Sequence, residues 1–269
     1  MAEASLTEQV LRRDRLLLIL LIGLLFLLAG LYTLFGVGMR MTALEMTSMR
    51  SMRDMPGMGI PGAWSLGYAL LVFLMWWVMM VAMMLPSVAP TVLLYSALLR
   101  HSGKATQVPA IAVAFLSGYL VTWAGFSVIA ATTQWALEAA GIVSATMMTL
   151  IDTVAGGLVL IAAGVFQFTP LKAACLEHCR SPAKFLTERR RPGVTGAFRM
   201  GVEHGAYCLG CCWFLMALLF VGGIMNLYWI IGLAAFVALE KLTPWGNVLS
   251  KIAGIALAAW GAWIIAAAL

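Results

Sequence analysis

The chain has 269 residues, of which 63% are hydrophobic and only 10% charged, and it carries a net charge of +6. Soluble domains carry about 25% charged residues, so this composition excludes an ordinary water-covered globule and makes a lipid bilayer the expected solvent. The basic residues gather in a few short connecting segments, as membrane orientation requires, so the positive charge is no argument for a nucleic-acid partner.

Arg12, Arg13 and Arg15 precede an uncharged run from Leu16 to Met39. This run exceeds the roughly 7–15 residues of a secretory h-region and reads as a retained first span, so that 1–38 form a cytoplasmic N-terminus and first helix. A Met-rich segment, 39–64, follows as an extracytoplasmic loop. Within it Met46, Met49, Met52, Met55 and Met58 recur every third residue. Such thioethers suit Cu(I), or else form the apolar face of a segment lying on the bilayer.

Residues 65–269 read as the main membrane bundle. Its first span is Ser65–Leu85, which Pro86 and Pro90 are expected to kink or end, with a bent extension to Leu99. Met75, Met79 and Met83 lie at i, i+4 and i+8 on that helix, with Met80 and Met84 beside them. They are either core packing or a thioether track. Arg100, His101 and Lys104 make a short basic loop. Pro109–Trp135 is the third span, Glu138 marks a loop, and Met147–Phe168 is the fourth, with Asp152 inside it. A long basic loop is expected over 171–199.

Gly205–Leu239 carries no charge and would be about 52 Å as one helix, against a hydrocarbon core of about 30 Å. Two spans turning at Gly222, Gly223 and Asn226 fit better, and a last span runs from Val248 to Ala268. The expectation is an all-α polytopic transmembrane bundle of about seven spans, with six as the alternative. The positive-inside rule places the N-terminus and the basic loops in the cytoplasm, in a bacterial inner membrane.

Two clusters carry metal-binding chemistry. His204, Cys208 and Cys212 are spaced by four and share a helix face, with Cys211 adjacent. Placed at the start of the fifth span, these thiols would be favoured as thiolates by free helix N–H groups. Cys175, His178 and Cys179 form a second group after the fourth span. Five cysteines on the reducing face argue against structural disulfides. The clusters could supply sulfur and imidazole to copper, which is favoured, or to zinc. Buried cysteine as a small apolar residue is the bland alternative. Asp152 and Glu203 read as structural acids near helix starts.

The runs Met79–Ser87, Cys175–Pro182, His204–Trp213 and Val221–Leu227 through Lys241 resemble a bacterial family of uncharacterised integral membrane proteins described as predicted metal-binding. The likeness spans about residues 65–260 and leaves the Met-rich segment outside. It implies a metal-binding membrane bundle but supplies no substrate and no reaction. The function expected is binding of a soft metal for transport, delivery or sensing, with a metal chaperone or other membrane subunits as partners. A thiol–disulfide redox protein pairing Cys208 with Cys211, or a non-catalytic subunit, are the alternatives. No phosphate-binding loop of an ATP-driven pump is present.

Overall fold

A computed structural model describes residues 6–39, 41–49, 64–102 and 105–268. Among them all extended regular structure is helical, with one isolated bridge between Val143 and Leu150. The helices are α1 (Leu6–Phe35), α2 (Ala43–Ser48), α3 (Leu66–His101), α4 (Val108–Ala139), α5 (Thr153–Phe166), α6 (Pro170–Arg180), α7 (Pro182–Glu188), α8 (Gly193–Ala217), α9 (Leu219–Gly222), α10 (Leu227–Leu242) and α11 (Gly246–Ala268).

Five stretches are long and apolar enough to cross a membrane: Leu16–Phe35, Leu66–His101, Val108–Ala139, Gly193–Gly222 and Gly246–Ala268. A sixth is reached if α5 and α6, bent by 64°, are counted as one broken span. The seven expected spans are therefore not all present as full-length helices. The shortfall is α10, whose 16 residues reach about 24 Å, less than a hydrocarbon core.

Several boundaries also differ from expectation. Pro86 and Pro90 lie inside one continuous helix. Each removes a single i→i−4 bond, and the rest of a 36-residue ladder in an apolar bundle holds the helix together. Asp152 lies just outside α5, where its Oδ1 accepts from Ala155 N at 2.8 Å, so it is an N-cap. Residues 171–199 form α6, α7 and the opening turns of α8, so no long loop exists there. Glu138 belongs to α4 and is buried. Its carboxylate accepts from Trp64 Nε1 and Gln134 Nε2, each at 2.8 Å, and Gln134 Oε1 accepts from Trp76 Nε1 at 2.8 Å.

Contacts set the directions. Leu18 shares a groove with Val92, and Gly38 lies against Leu71, so α1 and α3 are antiparallel. One end of the bundle then gathers Arg100, His101, the basic residues of α6, α7 and early α8, and Lys251. We call it the basic end. The other end holds α2, the 141–152 connection and Gly222–Asn226. Thr47 Oγ1 accepts from Leu227 N at 3.0 Å and fastens α2 there.

Glycine allows the closest helix contacts. Gly118, Gly201 and Gly205 join α4 to α8: a Cβ at Gly205 would lie 2.7 Å from Thr122 Oγ1, and one at Gly201 would strike Phe115 O. Gly164 and Gly254 do the same for α5 and α11, each facing the other's carbonyl oxygen. This close approach of small residues is how helices pack where no water drives them together. It fixes α8 at the centre, between α4 and α6.

Candidate metal centre

The central helix α8 carries His204 at its middle and Cys208, Cys211 and Cys212 beyond it, deep in the bundle. Neither cluster lies at a helix N-terminus. The expected aid from free N–H groups is therefore absent, and another source of positive charge takes its place. Lys241, from the last turn of α10, donates from Nζ to Cys208 Sγ at 2.9 Å. It is 6% exposed, and Cys208, Cys211 and Cys212 are at most 1% exposed. A lysine is almost never buried to this degree unless paired.

The second cluster reaches the first. The bend between α5 and α6 packs α6 against α8, and the buried thiol of Cys179 lies near those of Cys208 and Cys211 without a hydrogen bond to either. Cys212 is similarly close to Cys208 and Cys211. Cys211 and Cys212 also donate to Cys208 O at 3.0 and 2.9 Å, the usual back-bonding of a helical thiol. Tyr119 Oη lies 3.0 Å from Cys208 Sγ and 3.4 Å from Met84 O, bridging α4, α8 and α3. One thiol, one ammonium and one phenol thus meet inside the bundle, with Cys179, Cys211 and Cys212 buried around them.

The other expected residues take different places. Cys175 is half-buried, its sulfur against Gly210, where a Cβ would lie 2.7 Å away. His178 stacks on Tyr207 with ring centroids 4.1 Å apart, and its Nδ1 lies 2.9 Å from Ala174 O. His204 is buried beside Phe185, Phe115 and Tyr119, at centroid distances of 5.1, 5.9 and 6.0 Å. Its Nδ1 has no hydrogen-bond partner among the described residues. Met79 and Met83 are buried in the core. Met46 is buried as well, and Met49 is half-buried. Met52, Met55 and Met58 lie outside the described residues. Among the described residues no three of His, Cys, Asp or Glu form a ready-made metal site. The α8 sulfurs are instead bonded to the backbone, to Tyr119 and to Lys241.

Charges that read as loop residues in the sequence build the surroundings. Lys172 of α6 and Glu240 of α10 form an ion pair at 2.6 Å with side chains 1% and 0% exposed, and Ser250 of α11 donates to the same carboxylate. Arg180 donates to Thr243 O at 2.9 Å and Pro244 O at 2.7 Å, closing the end of α10. Both contacts hold α10 in the register that aims Lys241 at Cys208. Glu203, expected at a helix start, instead lies well inside α8 and pairs with Arg191 at 2.6 Å.

Sequence reasoning missed Lys241, Tyr119 and Met216. Lys241 had a signal, since the Glu240–Lys241 pair ends 35 uncharged residues on what is one short helix. Met216 continues the Cys208–Cys212 row by one more step of four and is buried at 0%. Nothing in the sequence marks Tyr119.

Residues 73–264 match a family model described as PpoB2, copper chaperone. The matched region holds every cysteine, Tyr119 and Lys241 and excludes Met46, Met49, Met52, Met55 and Met58. No curated protein and no solved structure matches the chain.

If Cys179 meets the α8 thiols, mild oxidation of metal-free protein with diamide links Cys179 to Cys208 or Cys211, since a disulfide needs Cα atoms within about 7 Å. Peptide mapping that finds bonds only among Cys208, Cys211 and Cys212 contradicts this arrangement.

Proposed function

The chain belongs to the family described as PpoB2, copper chaperone, and on that premise we propose that it is an integral membrane protein holding Cu(I) on the buried thiols for delivery. The observation that carries this reading is the Lys241 ammonium 2.9 Å from Cys208 Sγ. Cu(I) bound by two thiolates has one net negative charge. A dry interior penalises such a charge heavily unless it is paired, and Lys241 supplies the pairing cation. Soft sulfur ligands favour Cu(I). Cys208 and Cys211 are the primary ligands in this reading, with Cys179 and Cys212 as further donors and His204 with its unpartnered nitrogen in reserve.

At the site itself, binding requires rotation of the thiols. The sulfurs already lie together, and binding replaces their S–H bonds with Cu–S bonds and releases protons. Tyr119 and Lys241 keep Cys208 in place while the metal is absent. The redox alternative is less well supported, because thiol exchange needs an accessible attacking sulfur and the α8 thiols are at most 1% exposed.

Membrane residence rests on the apolar stretches and on where their side chains face. Leu20, Ile129, Ile255 and Trp263 are 65, 64, 63 and 68% exposed, a surface suited to lipid. The basic end faces the cytoplasm by the positive-inside rule, and α2 faces the other side.

Competition titrations with bicinchoninate test the metal reading. Wild type holds Cu(I) more tightly as pH rises from about 6 to 8, because protons compete for thiolate. Lys241→Leu removes the charge without adding a sulfur ligand and weakens binding roughly 10–100-fold, the usual cost of losing a group that supports a ligand. A Cys208→Ser/Cys211→Ser variant loses the tight class. Tight binding that survives both changes in folded protein, or Zn(II) displacing Cu(I) at equal concentration, contradicts the proposal. Orientation is tested with single cysteines at Ser48 and Thr187 in a cysteine-free background. An impermeant maleimide labels them from opposite sides, and labelling of both from one side rejects the membrane arrangement.

A further inference from the structure

At the end of the bundle away from the basic residues, a cavity of about 480 Å³ opens between α2, the 147–153 segment, the α9–α10 turn and α11. Two thioethers from segments far apart in sequence, Met46 and Met147, line it together with Asp152, Asn226, Trp229 and Trp260. Both methionines are nearly buried from solvent, at 5 and 6% exposed, while Asp152 is exposed. We infer that this cavity is a capture site for Cu(I), bound by Met46 and Met147 and charge-balanced by Asp152, that feeds the thiol cluster. The inference rests on the copper reading of that cluster.

The backbone on both sides of the cavity is held by hydrogen bonds. Ser144 caps the approach: its Oγ accepts from Met147 N at 3.1 Å and its carbonyl from Met148 N at 2.8 Å. Met148 adopts φ of 49°, a left-handed backbone that a non-glycine residue seldom takes. Ile224 N donates to Met148 O at 3.0 Å and fixes that conformation. Across the cavity, α2 is pinned by the Thr47–Leu227 hydrogen bond, and the next residues of the chain continue the methionine repeat.

Charge distinguishes the two sites. Cu(I) on two neutral thioethers keeps its single positive charge, which the Asp152 carboxylate offsets. Cu(I) on two thiolates is negative, which Lys241 offsets. Thioethers do not ionise at biological pH, so the cavity site binds independently of pH and more weakly than thiolate. Transfer inward is then downhill. Met216 lies between them, on the face of α8 that carries Cys208 and Cys212, one step of about 6 Å beyond Cys212.

The test is Cu(I) titration of the full chain in detergent, with bicinchoninate or acetonitrile as competing ligand. A Cys179→Ser/Cys208→Ser/Cys211→Ser/Cys212→Ser background should retain a weak class whose affinity is the same at pH 6 and pH 8. Adding Met46→Leu and Met147→Leu should weaken that class at least tenfold, and the same two changes in wild type should leave the tight class intact. Loss of all binding in the cysteine background, or a weak class indifferent to the leucines, overturns the inference while the thiol site stands. A weak class without any tight class in wild type supports the cavity site and rejects the thiol reading. If the leucine pair disturbs folding, Asp152→Asn, which preserves the N-cap, must weaken the same class severalfold. Unchanged affinity there overturns the inference.

Discussion

Lys241 places an ammonium 2.9 Å from a cysteine sulfur where neither side chain meets solvent. An unpaired charge at such a depth costs on the order of several kcal/mol, so the helices that bring these two groups together cannot be arranged independently. The short α10 ends partway along the bundle, which sets its last turn beside the middle of α8. Arg180 holds that end, and the Lys172–Glu240 pair ties the neighbouring residue of α10 to α6. The same α6 brings Cys179 to the α8 thiols. A helix too short to span and a helix bent by 64° are therefore features of the site rather than defects in the bundle.

The all-helical class was legible because apolar runs of this length leave few alternatives in lipid. So was the helix that carries His204, Cys208 and Cys212 at a spacing of four. Depth was not legible. Hydropathy marked Gly205 as the start of a span because Arg199 and Glu203 precede it. In the structure α8 begins at Gly193, with Glu203 neutralised by Arg191. This error moved the thiols from the interior to a boundary and suggested a helix terminus as their source of positive charge. The same habit of assigning charge to loops hid Lys172, Glu240 and Lys241, because a linear reading cannot see that charges on different helices cancel one another.

Methionine was ambiguous in sequence and divides in the structure. The α3 methionines fill the core, where flexible thioethers pack irregular space well. Met46 and Met147 border open volume instead. Only the fold distinguishes these uses, since both occur on helical or helix-adjacent segments of similar composition. The result is two soft-donor environments of opposite charge balance: an acid with thioethers at the exposed end, and an ammonium with thiols within.

The account's central claim is that copper bound to this protein is held by cysteine sulfur within the bundle and stabilised there by Lys241. Copper K-edge X-ray absorption of the full chain loaded with one equivalent of Cu(I) tests this directly. A first shell made only of sulfur that survives bicinchoninate competition in wild type and is stripped in Lys241→Leu is the predicted result. A wild-type shell dominated by nitrogen or oxygen, or copper that folded Lys241→Leu keeps against the same competitor as firmly as wild type, would contradict it.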